Sequence, residues 1–128
     1  MTTENKGPYR PTIHRFALGA AEVTTILDGV HVREPINPPF AMDKSADEIA
    51  QIAAANHLPS HAFENSYTPT VLAIGGQLVL FDTGFGPNGR ENHTGNLRRR
   101  LAHAGYAPED IDVVAFTHMH PDHIAGVM

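Results

Sequence analysis

The stretch THMHPDHIAG, residues 117–126, places three histidines and one aspartate within six positions. His118 and His120 are two residues apart, so on an extended backbone their side chains point to the same face and can bind one ion together. The proline that follows forces a turn, which sends Asp122 and His123 in a different direction. The spacing therefore predicts that one short loop addresses two metal ions.

The ligand types indicate hydrolytic chemistry rather than a structural metal site. The chain has no cysteine, so a transition metal must be held by nitrogen and oxygen, a set that suits zinc first and manganese or iron as alternatives. Two such ions sharing a bridging water lower its pKa toward about 7, and the resulting hydroxide attacks a carbonyl or phosphoryl centre. Asp122 is the predicted catalytic residue, as a ligand that also orients the nucleophile and carries a proton.

Composition limits the other partners. The chain of 128 residues is long enough for one domain, and its net charge of −5 gives no reason to expect nucleic acid or an anionic membrane surface. Residues 1–11 are polar and read as a mobile leader without the features of a signal peptide, and no segment is apolar enough to span a membrane. A cytoplasmic location is therefore expected.

The first half of the chain predicts a hairpin and a capped helix. The runs IHRFALG and AEVTTILDGV flank Gly19 and Ala20 and indicate two antiparallel strands, followed by a turn at Asp28. Three prolines predict a loop over residues 33–43. Ser45 and Glu48 form a capping box for a helix that ends near residue 56. Residues 57–69 show no period and are predicted to be a long surface loop.

The second half predicts a second hairpin, a helix and a strand. TVLAI and LVLFD are separated by glycines, and the second of these strands is apolar enough to be buried. A glycine-rich loop, GFGPNG, precedes a helix in which Leu97, Leu101 and Ala104 share a face before Gly105. IDVVAFT is another strand. The order strand, helix, strand over residues 78–116 predicts that the flanking strands are parallel, and the class is α/β or α+β.

These segments carry a resemblance to a known family. THMHPDHIAG resembles the H-x-H-x-D-H signature of the metallo-β-lactamase superfamily of hydrolases. The segments FALGAAEVTTILDG, LVLFDTG and GYAPEDIDVVAFTHMHPDH resemble the branch that contains methyl parathion hydrolase and the quorum-quenching lactonases. The resemblance covers most of the chain from Phe16 onward.

The resemblance implies an α+β fold, the αββα sandwich, of which residues 1–128 would be the N-terminal half. It assigns His118 and His120 to the first metal, Asp122 and His123 to the second, and Asp82 to a supporting place beside the ligands. It favours lactones, aryl esters or phosphotriesters as small-molecule substrates, and leaves the substrate-binding residues open. Four aromatic residues in predicted loops are candidates for an apolar pocket: Phe40, Phe63, Tyr67 and Phe85.

Members of the superfamily carry ligands that this chain lacks, namely a third histidine for the first metal, a bridging aspartate and a last histidine for the second. We therefore expect a C-terminal half or a second polypeptide to complete the site. Two alternatives stay open at this point. The chain could be an inactive metal-binding or interaction fragment, or Asp82-Thr83-Gly84 could form the active-site turn of a dimeric aspartic protease.

Overall fold

The structure, a computed structural model, describes residues 10–127, so the predicted leader lies almost wholly outside the described residues. It is a mixed α+β fold, as predicted. Within residues 10–127, seven strands follow one another: β1 Ile13–Leu18, β2 Ala21–Ile26, β3 Gly29–Arg33, β4 Phe63–Tyr67, β5 Thr70–Ile74, β6 Gln77–Phe81 and β7 Val113–Ala115. Three helices accompany them: α1 Ala46–Ala55, α2 Leu97–His103 and the single turn α3 Pro121–Ile124.

Five strands form the main sheet in the order β1-β2-β5-β6-β7. Both predicted hairpins are confirmed, with Leu18 opposite Ala21 in the first and Ile74 opposite Gln77 in the second. Each loop therefore has two residues, and glycine supplies the positive φ that such tight turns require, as at Gly19 with φ 60°. The last pair, β6 and β7, is parallel, which confirms the predicted strand-helix-strand unit.

A second, two-stranded sheet pairs β3 with β4 in antiparallel register. The prediction of a surface loop across residues 57–69 is wrong over this segment, since Phe63–Tyr67 is a strand. The sequence FENSY lacks the alternation of a half-buried strand, and its extended conformation comes from pairing with a segment more than thirty residues earlier in the chain. The strand β3 was not predicted either, and it begins at Gly29, directly after the predicted turn at Asp28.

The helices agree with their end signals. Ser45 and Glu48 make both hydrogen bonds of the predicted capping box at the start of α1. The helix α2 begins at Leu97 and is followed by Gly105, which has φ 94°. The predicted glycine-rich loop is partly regular, because Gly86–Asn92 forms a 3-10 segment. A shorter 3-10 turn, Pro108–Asp110, precedes β7.

The core lies between the main sheet and α2. Strand residues Ile26, Val71 and Leu80 pack there against Leu97 and Leu101. Burying such side chains contributes about 1.5–3 kcal/mol each, so this layer holds the sheet and the helix together.

Strand β6 was predicted to be buried. Of its five residues, all of which the structure describes, only Leu80 is buried, and Phe81 is 38% exposed. No helix among residues 10–127 is long and apolar enough to cross a membrane.

Candidate metal centre

The predicted ligands gather at one edge of the main sheet. Strands β6 and β7 run in parallel, so their carboxyl ends meet, and Asp82 follows the first while Thr117 comes soon after the second. His118 and His120 lie in the extended segment beyond Thr117. Asp122 and His123 lie in α3, whose first residue is the proline that was expected to turn the chain.

The four proposed ligands form two pairs of donor atoms. Nε2 of His118 lies 3.1 Å from Nδ1 of His120, and Nε2 of His123 lies 3.0 Å from a carboxylate oxygen of Asp122. As they stand, the first contact is a hydrogen bond and the second is an ion-pair contact. The same separations are close to the distance of about 3.3 Å between two ligand atoms on a tetrahedral zinc ion. The donor set and its spacing therefore fit two metal ions, with two ligands for each.

The two pairs adjoin one another. The ring centroids of His118 and His123 are 3.8 Å apart, so one histidine from each pair lies against the other. No group of three or more His, Asp or Glu side chains in residues 10–127 is arranged to hold a single ion. A catalytic zinc ion takes three protein ligands as a rule, so each pair lacks at least one.

Asp82 fixes the orientation of His123. One carboxylate oxygen lies 2.7 Å from Nδ1 of His123, which leaves Nε2 facing Asp122. The same carboxylate accepts hydrogen bonds from the backbone N–H and the hydroxyl of Thr117, both at 2.8 Å. Burial raises the pKa of Asp82, but the hydrogen bonds from Thr117 and His123 outweigh burial and bring the pKa below its ordinary value. A carboxylate behind a histidine in this way sets its tautomer and direction.

Thr83 anchors the end of α3, a role that the sequence did not predict. Its backbone N–H donates to the carbonyl of His123 at 2.7 Å, and its hydroxyl donates to the same carbonyl at 3.0 Å. Gly126 approaches so closely that a Cβ there would meet the carbonyl oxygen of Thr83. Glycine at position 126 thus has a steric reason, because a larger residue would lift this turn from the sheet.

Asp28 is a second residue that sequence reasoning missed. It was predicted to lie in a turn, whereas its side chain is fully buried. The carboxylate accepts from the backbone N–H groups of Phe85, Gly95 and Leu97. It therefore caps α2 from a distance and holds the backbone that follows Asp82-Thr83-Gly84. Its only sequence signal is an Asp-Gly after a strand, which indicates a turn far more often than a buried carboxylate.

The four candidate aromatic residues do not form one apolar pocket. Phe40 stacks edge-on with Phe63, and Tyr67 with Phe85, which makes two separate pairs. Tyr67 alone lines the cavity next to the proposed ligands. That cavity, of about 180 Å³, is bounded by residues 65–69 on one side and by Asp82, Asp122 and His123 on the other.

Solved structures similar to this chain include hydrolases. The chain matches AidC, a dizinc quorum-quenching lactonase solved with a product, with a TM-score of 0.83 and 29% identity over 91% of this chain and 39% of that chain. It also matches the hydrolase AbOPH of the beta lactamase superfamily with a TM-score of 0.79, at 24% identity over 94% of this chain and 40% of that one. The second likeness supports the fold alone.

A curated relative and a family model also match this chain. Ribonuclease Z from Methanothermobacter thermautotrophicus is 30% identical over 80 residues, which are 62% of this chain and 22% of that protein. The chain thus spans well under half of the relatives that it matches. Residues 64–128, just over half of the chain and including every predicted ligand, match the model of the Metallo-beta-lactamase superfamily. The chain belongs to the metallo-β-lactamase superfamily.

Proposed function

We propose that this chain is the N-terminal part of a metal-dependent hydrolase that works with two divalent ions. The observation that carries the proposal is the pair of donor sets on one loop, Nε2 of His118 with Nδ1 of His120 and Nε2 of His123 with Asp122. The similarity to AidC, which is a dizinc enzyme, supports zinc as the metal. The absence of sulfur from the ligands also fits a hydrolytic site.

In this proposal each residue has a separate task. His118 and His120 hold the first ion, and Asp122 and His123 hold the second. Bound there, the ions would polarise a carbonyl or phosphoryl oxygen and make water acidic enough to attack it at neutral pH. Asp82 keeps Nε2 of His123 directed at the metal through its contact with Nδ1. Asp122, about one quarter exposed, can receive the proton of the attacking water and deliver it to the leaving group.

The proposed substrates are lactones, aryl esters or phosphotriesters. The lactonase AidC supports the ester class. A similar protein is named ribonuclease Z, which makes RNA an alternative substrate to consider. The net charge of −5 argues against RNA for this chain, because a negative field repels a phosphate backbone. The enzyme is proposed to act in the cytoplasm on small molecules.

The remaining ligands are proposed to come from outside residues 1–128. The solved relative AidC has a chain of which this one covers 39%. A C-terminal half or a second polypeptide would add the third histidine, the bridging aspartate and the last histidine. The aspartic protease alternative loses its support, because Asp82 is hydrogen-bonded to Thr117 and His123 instead of standing ready to pair with a symmetry mate.

The test combines metal content and hydrolysis on the full-length protein. We expect about two zinc ions per protein and turnover of an N-acyl homoserine lactone or 4-nitrophenyl acetate, both lost after chelation and restored by zinc. His120→Ala should lower turnover by at least about 100-fold. His103→Ala, a change in an exposed histidine at the end of α2, is the matched control and should retain activity. Bound metal with no hydrolysis would favour the inactive metal-binding alternative, and activity that survives chelation would contradict the proposal.

A further inference from the structure

Strand β4 forms a polar wall opposite the proposed metal ligands. Residues 65–69 close one side of the cavity that Asp82, Asp122 and His123 close on the other. This strand was predicted to be loop, and neither the signature nor the ligand assignment gives it a function. Its side chains on the cavity are mainly polar, so it is suited to contact oxygen atoms of a bound molecule rather than an acyl chain.

Tyr67 is held rigidly in this wall. Its ring is buried and stacks edge-on against Phe85, with centroids 4.8 Å apart. Its backbone carbonyl accepts a hydrogen bond from Asp28, and Tyr67 pairs with Gly29 in the small sheet. A side chain fixed by packing and by its backbone loses little freedom when it meets a ligand.

Asn65 sets the direction of the tyrosine hydroxyl. Its amide nitrogen donates to Oη of Tyr67 at 2.7 Å, so the oxygen acts as acceptor in that contact. A phenolic hydroxyl is both donor and acceptor. Among the hydrogen bonds of residues 10–127, none has Tyr67 Oη as the donor. Tyr67 lines the cavity, and its O–H group has no acceptor among these hydrogen bonds.

We propose that Tyr67 is a catalytic residue that donates its hydroxyl hydrogen bond to the oxygen that gains negative charge when an ester is cleaved, and that Asn65 orients it. The inference rests on the proposed hydrolase function and narrows its substrate class to esters, because the side of the cavity to which Tyr67 belongs is mainly polar. A donor preorganised beside a developing charge stabilises the transition state more than the ground state.

The test uses the full-length, zinc-loaded protein and the variant Tyr67→Phe, which keeps the ring that packs on Phe85. We expect kcat for phenyl acetate to fall between about 10-fold and 1,000-fold, with little change in KM, zinc content or Tm. The matched control is Tyr106→Phe, which removes the hydroxyl 3.4 Å from Thr24 beneath Arg15, away from the ligands. It should leave kcat unchanged.

Asn65→Asp is a second variant with the same shape. A carboxylate can only accept, so it would draw the Tyr67 proton toward itself, and we expect a loss of kcat similar to that of Tyr67→Phe. Comparing 4-nitrophenyl acetate with phenyl acetate locates the contact. If kcat falls more for phenyl acetate, Tyr67 donates to the leaving oxygen. If kcat falls equally for the two esters, Tyr67 donates to the carbonyl oxygen.

Binding of diethyl phosphate, measured by calorimetry, separates this inference from the proposed function. Tyr67→Phe should weaken that binding by about 10-fold and Tyr106→Phe should not. If the protein hydrolyses no ester but Tyr67→Phe still weakens the binding of diethyl phosphate, the proposed hydrolase function is refuted and the donor role of Tyr67 is retained. If the wild type hydrolyses esters and Tyr67→Phe matches it in turnover and in binding, only the donor role of Tyr67 is overturned. Loss of zinc from Tyr67→Phe would overturn it as well.

Discussion

Two aspartates that follow strands have different roles in this protein. Asp82 lies beside a proposed ligand and accepts from Thr117 and His123. Asp28 lies fully buried and accepts from three backbone N–H groups. Asp82 orients the side chain of His123, whereas Asp28 holds the backbone that follows Asp82. Both follow apolar strands in the sequence, and only the structure separates their roles.

Asp28→Asn tests the backbone role. Asparagine keeps the shape but replaces one accepting oxygen by an N–H₂ group, which would face the N–H of Gly95 or Leu97 inside the protein. We expect the free energy of unfolding to fall by about 3 kcal/mol, measured by urea denaturation. The control is Asp110→Asn, whose carboxylate caps an exposed turn at Ala107 and should cost much less. Equal losses in the two variants would contradict the buried role of Asp28.

At the scale of elements, the sequence predicted what local chemistry decides. Two glycine turns, the capping box at Ser45 and the glycine after α2 all lie where the residues indicate. The pair β3 and β4 was not predicted, because FENSY becomes a strand only through contact with a distant segment. The signature predicts the ligands His118, His120, Asp122 and His123 because they are neighbours in the sequence. The roles of Thr83 and Asp28 depend on contacts with distant segments, so they are seen only in the folded structure.

The capping box makes the stability of α1 dependent on pH. Hydrogen bonds from Ser45, first from its backbone N–H and then from its side chain, lower the pKa of Glu48 below 4.5. A lowered folded pKa means that this contribution is present above the unfolded value and is lost as the pH falls through the folded one. Ser45→Ala should therefore lower the free energy of unfolding more at pH 7 than in acid.

Urea denaturation at the two pH values measures this difference. Ser60→Ala, in the exposed loop after α1, is the control and should show no loss at either pH. A cost of Ser45→Ala that stays constant down to pH 3 would show that Glu48 does not take part.

At the scale of the whole molecule, residues 10–127 leave both edges of the main sheet, β1 and β7, without a further strand. Strand β7 pairs only with β6 in the described part of the chain. Val113 and Val114 are each about 40% exposed, and Phe116 beside them is 37% exposed. An apolar edge with unpaired backbone groups is a template for another strand. This edge is where we expect the remainder of the fold to attach.

The 128-residue chain on its own should accordingly self-associate as its concentration rises, as measured by sedimentation velocity. Val113→Lys should reduce the association, because a charge at the edge opposes strand pairing. Ile52→Lys, at an exposed position on α1, is the control and should associate like the wild type. A chain that remains monomeric at every concentration, or equal effects of both lysines, would contradict this use of the edge.

The anchoring of α3 on Thr83 also has a consequence for biosynthesis. Polypeptides emerge from the ribosome with the N-terminus first. Strands β1 to β6 and the Thr83 hydrogen-bonding groups are therefore translated before His118, His120 and His123. We therefore expect the Thr83 groups that anchor α3 to be in place when these histidines emerge from the ribosome.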